Sequence, residues 1–275
     1  MTTDGLIGPG GRVSRMFWHV GVVIRGLTRA NWNGSNAMDT SANVTAAIFA
    51  AYLKCPTKAY LTAHGEKAPD TFFADIRGRI SDAYKARASQ NLRMGSPGAM
   101  PIDFSQLASN PADNGVTLFV DCETALYACD HPASSRDSRR AKRSGPHHDY
   151  VPILYSALDK SDQSDDLLVC FGGLAIGLAT GTQIPVSGKV IYGEAYRSKS
   201  VRIANHLQKA RQVIEAITSV CHAGEPPPLI LNEHCQTCDF QQRCRALAVE
   251  CDALSLLGAM TTKERAKCGR RVSRP

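Results

Sequence analysis

Three cysteines lie within ten residues near the end of the chain, and a histidine stands directly before the first of them. The stretch from Leu231 to Cys244 reads LNEHCQTCDFQQRC. Cys235 and Cys238 form a C-x-x-C pair, whose two intervening residues let both sulfurs point at a common centre. Cys244 follows closely enough to return to that centre after a short turn. The spacing therefore predicts a metal site with three local thiolate ligands.

The fourth ligand distinguishes two kinds of metal centre. A zinc site would take its fourth ligand nearby, and His234 is the adjacent candidate. An iron–sulfur cluster would prefer a fourth cysteine from any part of the chain that the fold brings close. The local sequence leaves both centres open.

Composition and charge exclude several protein classes. The chain has 275 residues, of which 43% are hydrophobic and 21% charged, as in a soluble globular protein. Its apolar runs fall short of the roughly 20 residues that a membrane span needs, so we predict no membrane partner. The net charge of +7 favours polyanionic partners, and nucleic acid is the expected one. Candidate nucleic-acid contacts share one basic run, RDSRRAKR, and are Arg136, Arg139, Arg140, Lys142 and Arg143.

The distribution of the 10 cysteines indicates the compartment. The apolar segment MFWHVGVVIRG near the N-terminus lacks a convincing small-residue cleavage site for a signal peptide. A reducing cytoplasm is therefore expected, where clustered thiols indicate a metal rather than disulfides. Isolated cysteines in apolar or helical surroundings are expected to be small core residues; they are Cys122, Cys129, Cys170, Cys221 and Cys251.

Hydrophobic periodicity predicts a mixed α/β domain. A helix is expected after Met38, capped by Thr40 or Ser41, and a second one over FFADIRGRISDAYKARA. Strands are expected in VTLFVDCETALYAC, YVPILYS and GKVIYG. DDLLVCFGGLAIGLATG is apolar nearly all round and predicts a buried helix, and a last helix is predicted over residues 200–224.

Two motifs together resemble a known family. C-P-x-K-x-Y-L begins at Cys55, and H-C-x-x-C-x-F-x-x-x-C begins at His234. The combination resembles RecB-like nucleases of the PD-(D/E)xK superfamily that carry a 4Fe–4S cluster, related to CRISPR-adaptation and AddB-type nucleases. The resemblance implies a restriction-endonuclease-like mixed sheet flanked by helices, with a C-terminal cysteine-rich cluster module. It also implies a 4Fe–4S cofactor held by Cys55, Cys235, Cys238 and Cys244.

The superfamily's chemistry requires a carboxylate on one strand and E-x-K on the next, so that two acids hold Mg²⁺ or Mn²⁺. Asp121 and Glu123 end a predicted strand, and Asp130 and Asp149 stand nearby; Asp121, Asp130 and Asp149 are the candidate catalytic acids. YVPILYS, the next strand, has neither acid nor lysine. The resemblance therefore implies either a metal-dependent DNA nuclease or a catalytically degenerate nucleic-acid-binding module. A zinc-binding structural adaptor is the third alternative.

The resemblance also suggests how the chain is divided. Residues 1–37 are expected to be a poorly ordered leader, 38–230 the nuclease-type domain, 231–258 the cluster module and 259–275 a truncated basic tail. Family members commonly continue into an RNase H-like domain. We therefore expect an N-terminal portion of a longer protein, whose partner is a helicase, an RNase H-like protein or a missing C-terminal domain.

Overall fold

The computed structural model describes residues 42–69, 72–96, 99–107, 117–129, 150–251 and 253–256. The predicted leader, the basic run RDSRRAKR and the predicted basic tail lie outside these residues. None of the helices in the described part of the chain combines the length and apolarity needed to cross a bilayer.

The described residues form seven strands and six α-helices, in runs of one element type rather than in strict alternation. The strands are β1 Ala42–Thr45, β2 Ala99–Ile102, β3 Thr117–Asp121, β4 Leu126–Cys129, β5 Tyr150–Ser156, β6 Ser187–Tyr192 and β7 Arg197–Arg202. The helices are α1 Ala46–Lys54, α2 Pro56–Ala63, α3 Phe72–Gly95, α4 Gln163–Thr180, α5 Leu207–His222 and α6 Gln241–Glu250. The larger sheet has the order β2-β3-β5-β6-β7, in which only β7 is antiparallel, and β1 pairs with β4 in a separate antiparallel sheet. The prediction of an α/β domain with a mixed sheet flanked by helices is confirmed.

The central strand β5 is buried on both of its faces. Ile153 and Tyr155 pack with Ala88 of α3 on one face. Leu154 packs with Val169 of α4 on the other face. A parallel strand covered by helices on both sides requires apolar residues at successive positions. This requirement explains why YVPILYS is apolar throughout rather than alternating.

Helix α4 is the predicted buried helix, and its ends follow capping rules. The Asp162 side chain accepts hydrogen bonds from the backbone N–H groups of Ser164 and Asp165, and the Asp165 side chain accepts one from the N–H of Asp162. This reciprocal pair satisfies donors that the first helical turn leaves without partners. Gly181 ends the helix in the left-handed region, with φ of 64°, where glycine is favoured.

One glycine allows a close approach between α4 and the sheet. A Cβ atom added at Gly188 of β6 would lie 2.3 Å from Cγ1 of Val169 and 2.7 Å from the backbone oxygen of Pro152. Because the Pro152 oxygen is backbone, it cannot rotate away. At Gly78 on α3, in contrast, an added Cβ would meet nothing within 4 Å.

Three boundaries differ from the sequence predictions. The cap predicted at Thr40 or Ser41 is wrong, because Thr45 caps α1 and its hydroxyl accepts a 3.2 Å hydrogen bond from the N–H of Ile48. The strand predicted over residues 116–129 is divided by a 3₁₀ helix, so that β3 and β4 belong to different sheets. The helix predicted over residues 200–224 begins only at Leu207, because residues 200–202 pair with β6 as the end of β7 and Ile203–Asn205 form a 3₁₀ helix.

The isolated cysteines differ in burial. Cys122 and Cys170 are buried and Cys221 is half-buried, as predicted, whereas Cys251 is exposed just after α6. Burial raises the pKa of Cys170 to about 11. Burial, together with the neighbouring Asp121, also raises the pKa of Cys122 well above its ordinary value. These two thiols are therefore core groups and not reactive ones.

Candidate metal centre

Cys55 stands at a break between two helices. Its backbone is extended, with φ of −163° and ψ of 121°, because the residue before a proline is driven out of the helical region. Pro56 then occupies the first turn of α2, where its missing N–H has no cost. The C-P dipeptide therefore ends α1, restarts the chain as α2 and places Cys55 at the joint.

The three late cysteines are carried by one short segment. Cys235 lies in a 3₁₀ helix, Cys238 follows it, and Cys244 is buried on α6. Phe240, 5% exposed, packs with Leu61 of α2, 4% exposed. This contact holds the late segment against the helix that begins directly after Cys55.

Polar side chains tie the late segment to the early helices. The Asn232 side chain donates a 3.0 Å hydrogen bond to the backbone oxygen of Lys54. Arg77 of α3 donates a 2.8 Å bond to the backbone oxygen of Thr237 and forms an ion pair with Asp239. Lys58 of α2 lies 3.6 Å from the same Asp239 carboxylate. These contacts join three sequence-remote segments around the cysteines.

The four candidate ligand cysteines line one cavity of about 70 Å³. The cavity is also lined by His234 and by three basic residues, which are Lys54, Lys58 and Arg77. Burial, and then the nearby thiols of Cys238, Cys55 and Cys235, raise the pKa of Cys244. Within the described part of the chain, no three His, Cys, Asp or Glu side chains stand in the arrangement of a finished metal site. The fold thus gathers the four thiols around a shared space without closing them onto a single point.

The candidate acid Asp121 ends β3 and is buried, with 3% of its surface exposed. Its carboxylate forms an ion pair with Lys85 of α3 and accepts a 2.9 Å hydrogen bond from the N–H of Glu123. Burial lowers the pKa of Lys85, but the hydrogen bond and charge of Asp121, with the charges of Glu123 and Asp103, outweigh burial and raise it. Lys85 is therefore a cation at this strand end.

The neighbouring positions do not supply the other nuclease groups. Asp121 is paired in register with Ile153 of the parallel strand β5, where a second acid would be needed. Partial desolvation by the surrounding protein, and then the charge of Asp121, raise the pKa of Glu123 to about 7. Part of the Glu123 side chain is nevertheless exposed to solvent. The other two candidate acids, Asp130 and Asp149, lie outside the described residues.

Sequence reasoning missed Asn232, Arg77 and Lys85. Lys85 reaches Asp121 across 36 positions, and Asn232 reaches Lys54 across 178. A local pattern cannot indicate such pairs. For Asn232 a partial signal existed, because asparagine just before a short helical turn is a favoured N-cap.

Comparison of the chain with protein-family models found no match, and comparison with curated proteins found none either. The resemblance to RecB-like nucleases therefore depends on the two cysteine motifs alone. What it implies about cofactor and activity remains a proposal.

Proposed function

We propose that this protein binds nucleic acid through a RecB-like, restriction-endonuclease-like scaffold that a structural 4Fe–4S cluster holds together. One observation carries the proposal: Cys55 lines the same cavity as Cys235, Cys238 and Cys244, although 180 positions separate Cys55 from Cys235. A cysteine-bound cluster needs four thiolate ligands, and here two segments remote in the sequence supply four thiols to one cavity. When bound, such a cluster would act as a covalent cross-link between the start and the end of the domain.

The surroundings of the thiols suit a multi-atom cluster. The four thiols share a cavity of about 70 Å³, so a group held by all four would lie in that space. The backbone N–H of Asn232 donates a 3.3 Å hydrogen bond to the sulfur of Cys235, the kind of contact that tunes cluster sulfurs. Lys54 lines the cavity and can balance part of the negative charge of a thiolate-bound centre, whereas the charges of Lys58 and Arg77 are engaged with Asp239.

The second candidate function is a zinc-binding structural adaptor, in which zinc replaces the cluster, and one observation favours it. His234 lines the same cavity as the four cysteines. Three cysteines and one histidine are a common tetrahedral zinc set. Under this alternative Cys55 would not be a ligand.

The strand end favours binding over cleavage. A superfamily nuclease uses its strand-end carboxylate to hold a metal ion, but here the Asp121 carboxylate is paired with the Lys85 ammonium. Its register partner Ile153 is apolar. A Mg²⁺- or Mn²⁺-dependent nuclease, with Asp130 or Asp149 completing the site, is the alternative activity.

Surface charge supports a nucleic-acid partner. Helix α3 carries five basic and two acidic residues, and its Arg79, Arg87 and Arg93 are exposed. Together with the net charge of +7, this basic helix suits contact with phosphates.

Anaerobic purification followed by metal analysis and DNA assays tests the proposal. We expect brown protein with iron and sulfide, binding to single-stranded DNA that weakens steeply as salt rises, and no cleavage with Mn²⁺. Cleavage that Asp121→Asn abolishes would replace the binding function with the nuclease function. Colourless protein with one zinc would establish the zinc adaptor instead.

A further inference from the structure

We propose that Asn232 is the positioning residue of the cysteine site, holding Cys55 and Cys235 at a set separation. The consequence for metal binding rests on the proposed function, but the positioning of the two thiols does not. Asn232 is not itself a candidate ligand; it precedes the first of the late cysteines by three residues.

Asn232 makes contacts toward both cysteines. Its Nδ2 donates a 3.0 Å hydrogen bond to the backbone oxygen of Lys54, the residue directly before Cys55. Its Oδ1 accepts a 3.0 Å bond from the N–H of His234 and so caps the 3₁₀ helix that carries Cys235. Its backbone N–H donates to the Cys235 sulfur at 3.3 Å. One residue therefore connects the backbone beside Cys55 to the sulfur of Cys235.

The identity of the side chain matters for this connection. An amide is both a donor and an acceptor, and Asn232 uses each function toward a different segment. Serine would keep a capping oxygen for the 3₁₀ helix but is too short to reach the Lys54 oxygen. Replacement by serine therefore separates the connection to Lys54 from the local cap.

Cys238 and Cys244 depend less on such a connection. The N–H of Gln241 donates to the oxygen of Cys238 at 3.0 Å, and the N–H of Cys244 donates to the oxygen of Phe240 at 3.0 Å. These backbone bonds set the separation of the two late cysteines within one continuous turn. Cys55 arrives from elsewhere in the chain, so its distance to the others needs a side-chain link.

The test compares Asn232→Ser with the wild type and with Asn205→Ser, the same change at an exposed position after β7. In metal-free protein, a short bifunctional thiol reagent should cross-link Cys55 to Cys235 several-fold more slowly in Asn232→Ser, as measured by peptide mapping. In iron-loaded protein, release of iron to a chelator should be about 10- to 100-fold faster, as for other residues that orient metal ligands. The unfolding midpoint of the metal-free variant should stay close to that of the wild type, because the capping oxygen remains and the lost bond to Lys54 is exposed to solvent.

The outcomes separate the two proposals. Wild-type rates of cross-linking and iron release in Asn232→Ser would overturn the role of Asn232 while leaving the cluster intact. Slow cross-linking in Asn232→Ser beside a wild type that takes up no metal would support the positioning role and overturn the proposed cluster. Equal slowing in Asn205→Ser would also overturn the role, because the effect would not depend on the link to Lys54.

Discussion

Replacing Cys55 with alanine tests whether the early cysteine cross-links the domain. Cys55 and Cys235 are 180 positions apart. The loop-closure entropy of a cross-link across that many residues corresponds to about 5 kcal/mol at 25 °C. Cys55 is only half-buried, so the direct loss of side-chain packing should cost about 1 kcal/mol or less. Nearly all of the expected effect therefore depends on the metal centre.

The assay is anaerobic urea unfolding followed by circular dichroism, with visible absorbance and iron content measured on the same samples. Cys55→Ala should lose its visible colour, and its free energy of unfolding should fall by about 5 kcal/mol relative to the loaded wild type. Cys251→Ala is the matched control, because it removes an exposed thiol and should change neither quantity. Cys170→Ala should keep its colour, because Cys170 is a buried core residue away from the cavity.

Two results would refute this reasoning. Retention of iron in Cys55→Ala would show that the early cysteine is not a ligand. Loss of metal from His234→Ala, with full metal content in Cys55→Ala, would establish the zinc alternative. As an internal check, metal-free wild type and metal-free Cys55→Ala should unfold within about 1 kcal/mol of each other, because neither contains the cross-link.

Three further changes probe the scaffold. Lys85→Met should lower the free energy of urea unfolding at pH 7 by about 3–5 kcal/mol, because the buried Asp121 carboxylate loses its ammonium partner. Adding Asp121→Asn should restore most of that loss, and an unchanged midpoint in Lys85→Met would mean that the pair is not buried in solution. Gly188→Ala should destabilise the folded protein by about 1–3 kcal/mol, because the added Cβ clashes with the backbone. Gly78→Ala, in the open part of α3, should instead stabilise it by about 0.5–1 kcal/mol. Equal effects of the two changes in thermal melts would contradict the close approach of α4 to β6 at Gly188. Since the folded-state pKa of Glu123 is raised from 4.5 to about 7, the folded protein binds the proton more tightly and loses stability as pH rises between those values. Glu123→Gln should remove that decline, which we expect to be about 1 kcal/mol or less because solvent screens the exposed carboxylate. Thermal melts at stepped pH measure it, and an equal decline in the wild type and in Glu123→Gln would contradict the raised pKa.

Local sequence patterns predicted the elements whose burial is uniform. YVPILYS forms a strand that is buried on both faces, and the middle of DDLLVCFGGLAIGLATG, residues 167–176, forms the buried part of α4. Successive positions in both are therefore apolar. The patterns failed where partners are remote. Residues 200–202 fit the helical spacing of the segment that follows, but they pair with β6 as the end of β7, and a strand partner can outweigh a local preference.

The candidate site divides in the same way. The spacing of Cys235, Cys238 and Cys244 was enough to predict that these thiols lie near one another, since a short turn leaves them little freedom, and the structure places all three along one cavity. The C-P dipeptide at Cys55 was enough to break the helix there. Only the packing of Phe240 on α2, and side-chain contacts spanning more than a hundred residues, bring Cys55 to the cavity of the other three. Likewise, the sequence alone showed Asp121 at a strand end, whereas the placement of α3 over β5 decided that its partner is the ammonium of Lys85, because such pairs depend on how elements pack and not on local spacing.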